Sequence, residues 1–486
     1  MTDKRLLLGI LAVLVWGVAA RSPAEERRQS FDSEPGWDGY HHRPTVAVGQ
    51  LVRQDFGFSP TRHARGAAAG ELGGRITPAA EPAYVAKRLA TKSLQDRLVA
   101  SGTFLAEGRQ FHVLLGFFHR ETLNTWRAAN TIALRLYGRG DVFYAYVEYA
   151  TARWRAGSAQ LLPVTEAREP QDGQSAREGF AAGRAHRWSL TYEPGGNGSR
   201  GVVTATLGGA RAVCHLEPGH KQDGGRFDRC GLATVMKHYD QGGRVWIDDV
   251  AINGQREEFS AAPDWEQFHN RRSYATSDVR PRFDFGYSAT RFAGGRGRGE
   301  LGGLVFRGDC READRMAYYG DRLDRLTLNR RLRAGGKVAL RRGVSDSTTL
   351  IGFFDAARSR AVSRSQRSAI PEHFLGAAIE GPSREGFFFY PVYRVRGEVQ
   401  GIATGADRPR LAPDGRAHDW TLDYEPTAAG GRGAIRVTLD DRPVVLPLAA
   451  GHRSAAAHFD RFGIVTTWID GNGQRVFFDD LIYTCR

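Results

Sequence analysis

Along His186 to Pro194, HRWSLTYEP, the residues Trp188, Leu190 and Tyr192 fall on one side and Arg187, Ser189 and Thr191 on the other. A period of two is that of a strand with one face buried. Turn residues follow in GGNGSRG and the alternation resumes in VVTATLGG, so residues 186–209 predict a β-hairpin. HDWTLDYEP, from His418, repeats the pattern. Helical periodicity is scarce. The best helix candidate is PAYVAKRLATKSLQDRL from Pro82, with loop followed by strand as its alternative. Many short strands separated by Gly-rich turns predict an all-β protein.

The repetition extends over the chain. Phe31, Pro35, Trp37, His41 and Arg43 meet Phe259, Pro263, Trp265, His269 and Arg271 at one offset, 259 − 31 = 228. Further pairs are DFGFS at Asp55 with DFGYS at Asp284, GELGG at Gly70 with GELGG at Gly299, and LGFF at Leu115 with IGFF at Ile351. FDRCG at Phe227 matches FDRFG at Phe459, and WIDDV at Trp246 matches FFDDL at Phe477. Such a tandem duplication predicts two abutting domains of one fold, residues 31–256 and 257–486, after a flexible segment 21–30. Each copy is longer than an immunoglobulin-like domain of about 100 residues and suits a larger jelly roll.

The order of these motifs resembles the concanavalin A-like lectin/glucanase superfamily, particularly its laminin-G-like jelly rolls. The closing aromatic-x-D-D-aliphatic strand also resembles that of jelly-roll carbohydrate-binding modules and MAM domains. The resemblance implies two tandem antiparallel β-sandwiches. It leaves activity open, because the superfamily includes lectins, glycoside hydrolases, polysaccharide lyases and adhesion modules. It also implies a structural calcium near the closing strand, with Asp249 and Asp480 as ligands. Internal ion pairing of the shared acids, Asp249 and Asp480 together with Asp228 and Asp460 of the FDR motifs, is the leading reading of these residues, and calcium is its alternative.

Residues 1–20, MTDKRLLLGILAVLVWGVAA, read as a signal peptide cleaved after Ala20: Lys4 and Arg5, an apolar run, then small residues. The run is short for a membrane span of roughly 20 residues. The expected protein is exported and soluble: secreted, periplasmic or at the cell surface. Export permits disulfides. Cys214 and Cys230 belong to the first copy, where the second has Leu446 and Phe462, and Cys310 and Cys485 are private to the second. Bridges Cys214–Cys230 and Cys310–Cys485 are therefore expected; zinc, the alternative, lacks the spacing.

The formal charge is +14, and residues 307–367 hold 15 Lys or Arg against 7 Asp or Glu, 15 − 7 = +8. A basic surface attracts polyanions, so acidic polysaccharide is the class expected of the second copy if this stretch is a working surface; a composition that simply favours Arg, Ala and Gly is the alternative. Nucleotide binding is not expected, because the glycine run after Pro194 leads into a strand and lacks the Lys-Ser/Thr of a phosphate loop, and nucleic acid is not an expected partner.

A glucanase needs two carboxylates flanking the scissile bond, and no strand carries alternating acids. The nearest acid is Glu148 in FYAYVEYATARW, sharing a face with Tyr144 and Tyr146, and the second copy has FFFYPVYR there. A lyase needs a Tyr or His base beside a neutralising cation; His186 and His418 stand at strand starts. Trp37, Trp188, Trp265 and Trp420 recur on apolar faces as core. Trp154, between Arg153 and Arg155, is the expected exposed platform, with Tyr144 and Tyr146 beside it. The expected function is non-catalytic binding of glycans or cell-surface polymers. The alternatives are a polysaccharide-processing enzyme and a purely structural envelope protein.

Overall fold

The computed structural model describes residues 25–44, 49–163, 179–237, 240–277, 279–365, 367–397, 400–404 and 407–486. The signal-peptide expectation lies outside them. Alternation becomes strand where it is expected: His186–Glu193 pairs antiparallel with Val202–Leu207, and Trp188, Leu190 and Tyr192 are buried. Ala417–Glu425 repeats this with Ala434–Leu439. The segment after Pro82 is a strand, Tyr84–Lys92, with ladder partners on both sides, Phe227–Thr234 and Glu266–Phe268. Those partners supply its backbone hydrogen bonds, which removes the need for a helix.

Each half of the chain is a sandwich of antiparallel sheets around its own apolar core. In the second half, one sheet runs from Asp284–Ser288 through the closing strand Gly473–Thr484 to Arg442–Pro447, and the facing sheet is centred on Ser347–Phe354. In the first half, the strand Leu98–Phe118 is long enough to serve both sheets. Its start pairs with His186–Glu193 and its end with Thr131–Gly140. The fold is the all-β sandwich that the resemblance implies. No helix among the described residues is long and apolar enough to cross a membrane.

The two opening segments change places. Phe31 and Trp37 belong to the core of the second half, while Phe259 and Trp265 belong to that of the first. Asp38–Tyr40 pairs with Tyr318–Thr327, and Glu266–Phe268 with Tyr84–Lys92. Each FDR arginine grips the acid of the segment so delivered: Arg461 Nη2 lies 2.7 Å from Asp38, and Arg229 Nη2 lies 2.6 Å from Glu266. The GELGG glycines make room for the same segments. A Cβ on Gly70 would stand 1.7 Å from the Phe259 carbonyl oxygen, and one on Gly299 would stand 1.9 Å from that of Phe31. The packing boundary therefore differs from the expected division at 256/257. Residues 49–271 build the first sandwich, and residues 25–43 return to complete the second. Within the segment expected to be flexible, Glu26–Gln29 is an edge strand on Leu481–Thr484.

The expected disulfides are absent, and all four cysteines are free and buried. Cys214 and Cys230 lie on strands of different sheets, opposite Val203 and Phe117 respectively. Burial pushes the Cys214 thiol up to about 12. The Cys310 thiol faces the Ser363 carbonyl at 3.4 Å, and that of Cys485 faces the Glu25 carbonyl at 3.4 Å.

Candidate functional site

On Thr131–Gly140 the residues Ile132, Leu134 and Leu136 enter the core, which puts Arg135 and Tyr137 on the opposite face. Register places Arg135 beside Tyr146 and Tyr137 beside Tyr144 on the neighbouring strand Val142–Ala150. His112 stands across from Tyr137 on the other side. The result is a face of alternating rings and cations. The Arg135 guanidinium lies 4.3 Å from the Tyr146 ring centroid and 4.5 Å from that of Trp126. Lys237 Nζ stands 3.4 Å from the Trp126 centroid. Burial and nearby Arg280 pull the Lys237 ammonium down to about 8. His112 stacks on Tyr137 at 4.4 Å, and its Nδ1 meets the Asp240 carboxylate at 2.9 Å. Burial holds its pKa below the usual histidine range.

Thr125, next to Trp126, lines a cleft of about 230 Å³ between the two halves, and the Arg280 guanidinium of that cleft lies 5.9 Å from the Trp126 ring centroid. The cleft wall includes Thr125 from the first half, Arg280 and Arg282 from the connector, residues 279–283 ahead of the strand Asp284–Ser288, and Arg342 and Arg475 from the second. Asn472 ties the three parts together, its Oδ1 accepting from Thr125 Oγ1 at 2.9 Å and from Arg280 Nη1 at 2.6 Å. Among the described residues, none of these four arginines forms an ion pair. The Nε atoms of Arg280, Arg282 and Arg342 are buried without a hydrogen-bond partner. Burial, then Arg475 and Arg282, lower Arg342 to about 10. Glu81 is the acid in the wall, and Thr276 Oγ1 donates to it at 2.5 Å. Arg282 and Arg342, both lowered by burial, stand with buried Arg280 and exposed Arg475 in one wall, a set of guanidinium donors that suits an anion carrying several oxygens.

The expected site residues divide. Tyr144 and Tyr146 are half-buried neighbours on the ring-and-cation face. Glu148 shares that face but is fully buried, with Arg135 Nε 2.9 Å away. Trp154 sits apart on the hairpin after Ala150, partly buried against the core of the second half. Trp37, Trp188, Trp265 and Trp420 are core. His186 and His418 do begin strands, and each ring is tied locally, to the Ala181 carbonyl and to Asp440. In the closing strands the buried acids are Asp248 and Asp479, one residue before those expected to bind calcium. Asp249 carries Arg256 at 3.4 Å. Calcium has no part in the function proposed below.

The +8 stretch contributes Arg342 to the cleft. Much of the rest is neutralised in three dimensions: Arg307 by Glu380, Arg311 by Asp309, Arg331 by Asp423 and Arg358 by Glu372. Trp126, Lys237, Arg280, Arg282 and Arg475 escaped the sequence reading. The signal available was the basic run RPRF at Arg280, beside the boundary between copies.

No protein-family model and no curated protein sequence matches the chain. Among solved structures it is similar to domains LG4-5 of the mouse laminin alpha1 chain, at 11% identity and TM-score 0.24, over 90% of this chain and 92% of that one. It is similar to an endo-β-1,4-glucuronan lyase from the fungus Trichoderma reesei, at 11% identity and TM-score 0.24, over 48% and 95%. A third similar structure is the carbohydrate recognition domain of Emp47p, at 6% identity and TM-score 0.26, over 41% and 88%.

Proposed function

We propose that this is an exported protein that binds acidic polysaccharides, of the uronate class, without cleaving them. The observation that carries this reading is the run from the aromatic-cationic face at Tyr146, Arg135 and Trp126, through Arg280, to a cleft with four arginines that form no ion pair among the described residues. Sugar rings stack on aromatic faces and carboxylates take guanidinium donors. A chain carrying one acid per sugar meets both along this path. Turnover would need an accessible base beside the cationic clamp. His112 is 1% exposed and held by Asp240. Lys237, with its lowered pKa, is the observation that favours an eliminating lyase as the second reading.

The test is calorimetric titration of the full chain with oligouronates and with neutral glucans, alongside ultraviolet absorbance for unsaturated uronate ends. Binding to the oligouronate without new absorbance is expected, with Arg282→Glu or Arg342→Glu weakening it about tenfold or more, the worth of a charged hydrogen bond. New absorbance lost in Lys237→Met establishes the lyase instead. Equal affinity for neutral and acidic chains ends both readings.

A further inference from the structure

Away from this face, three chain segments of the second half converge on one point. Asp355 follows the strand Ser347–Phe354, His373 precedes Phe374–Gly381, and His458 opens His458–Val465. These strands are neighbours in one sheet, with Phe354 paired to both Phe374 and Arg461, so their ends meet. One ligand atom from each of Asp355, His373 and His458 lies within 4.8 Å of the others. His458 Nε2 stands 2.7 Å from Asp355 Oδ2, and the two imidazole rings are edge to face at 4.7 Å.

We infer that Asp355, His373 and His458 form a binding site for a borderline divalent transition metal of the zinc class, with a fourth position open to water or a ligand oxygen. The His373 side chain is 4% exposed and its Nδ1 has no hydrogen-bond partner, a state that a buried polar atom ordinarily avoids. Two imidazoles and one carboxylate are the donor set of zinc-type centres. Bond lengths of about 2.0 to 2.2 Å at tetrahedral angles put two ligand atoms of one ion about 3.3 to 3.6 Å apart, so side-chain shifts of about an ångström close the cluster. Asp355 is fixed by its other oxygen, which caps the turn Ala356–Ser359 by accepting from Arg358 N at 2.7 Å.

The first half serves as an internal control. Its matching residues are His119 after LGFF, Asn130 before the strand paired to Phe118, and Arg226 before FDR. Asn130 instead accepts the Arg226 backbone N–H at 3.0 Å. An arginine in place of His458 excludes a cation there. In the second half, the exposed Arg325 guanidinium approaches His458 Nδ1 at 3.2 Å. That nitrogen must carry the proton when Nε2 ligates a metal, so Arg325 opposes binding and must swing aside.

The experiment titrates the untagged full chain, stripped by chelator, with Co²⁺ and follows its visible absorption, then competes with Zn²⁺ and separately with Ca²⁺. One Co²⁺ per chain, displaced by one Zn²⁺ and untouched by Ca²⁺, is expected. His458→Gln and Asp355→Asn should each weaken Co²⁺ by more than the roughly 10- to 100-fold typical of losing only a ligand's supporting partner. Asn retains the capping oxygen that Arg358 needs. Arg325→Gln should tighten binding, and because it alters an exposed side chain it decides the matter even where a ligand variant fails to fold. Absence of stoichiometric Co²⁺ absorption in the unaltered chain overturns the assignment, as does affinity unchanged in His458→Gln and Asp355→Asn or weakened in Arg325→Gln.

Discussion

Asp479 and Asp248 each sit inside a closing strand with one carboxylate oxygen buried and without a partner. Burial, then Asp480 and Glu300, push Asp479 up to about 7, and Asp248 is raised in the same sense. In the unfolded chain such a carboxyl titrates near 3.9. Between about 4 and 7 the folded protein therefore holds a proton that the unfolded chain has lost, so this group's contribution falls as pH rises and is flat above about 7. Asp479→Asn keeps the Oδ1 that accepts the Asp480 backbone N–H and cannot ionise. Melting curves should show the variant close to the parent at about pH 4 and more stable at pH 8, by on the order of 1 to 3 kcal/mol. An equal gap at both values would mean that ionisation is not the cause. The recurrence of D-D in WIDDV and FFDDL was visible in the sequence. Which aspartate of each pair turns inward was not, because Asp249 and Asp480 sit at positive φ in a bulge that shifts the strand's alternation.

At the scale of elements, strand alternation and the shared motifs showed the hairpins, the sandwich and the tryptophans of the core. The exchange of opening segments was beyond their reach, since identical copies of F-x-x-x-P-x-W fit either sandwich equally well by pattern. The exchange fixes a consequence for fragments. Residues 49–276 carry Phe259, Trp265 and the Glu266 that Arg229 holds, whereas a chain stopped at Gly254 leaves a gap in the first core. The longer fragment should unfold cooperatively in denaturant and the shorter one should not. In the intact chain, Trp265→Ala should destabilise the first sandwich and Trp37→Ala the second, each by about 3 to 5 kcal/mol as for other large aromatic deletions. Amide exchange mapped to each half checks the assignment. Loss of protection in the half that carries the mutation, rather than in the other, would show the segments staying at home.

For the whole molecule, the cleft belongs to neither copy alone: Thr125, the connector arginines, Arg342 and Arg475 meet only because both sandwiches pack against one connector. A reading copy by copy therefore assigns Tyr144 and Tyr146 to one half and the excess arginine to the other without seeing that they line one path. If the chain binds uronates along that path as proposed, affinity depends on ligand length: a short oligouronate would fill either the aromatic face or the cleft, while a longer one would join both and gain from effective concentration. Affinity should rise steeply over some range of length and then level. Arg342→Glu should remove that rise and leave short oligomers bound at the Tyr146 end unchanged, and Tyr146→Ala should remove it from the other side. Raising ionic strength from 0.15 to 1 M, which cuts the Debye length from about 8 Å to about 3 Å, should weaken long oligomers more than short ones, because more carboxylates are engaged. Titrations across a length series at the two salt concentrations decide it. Affinity independent of length, with Arg342→Glu acting equally on every oligomer, would mean that the cleft alone is the site and the aromatic face only packs.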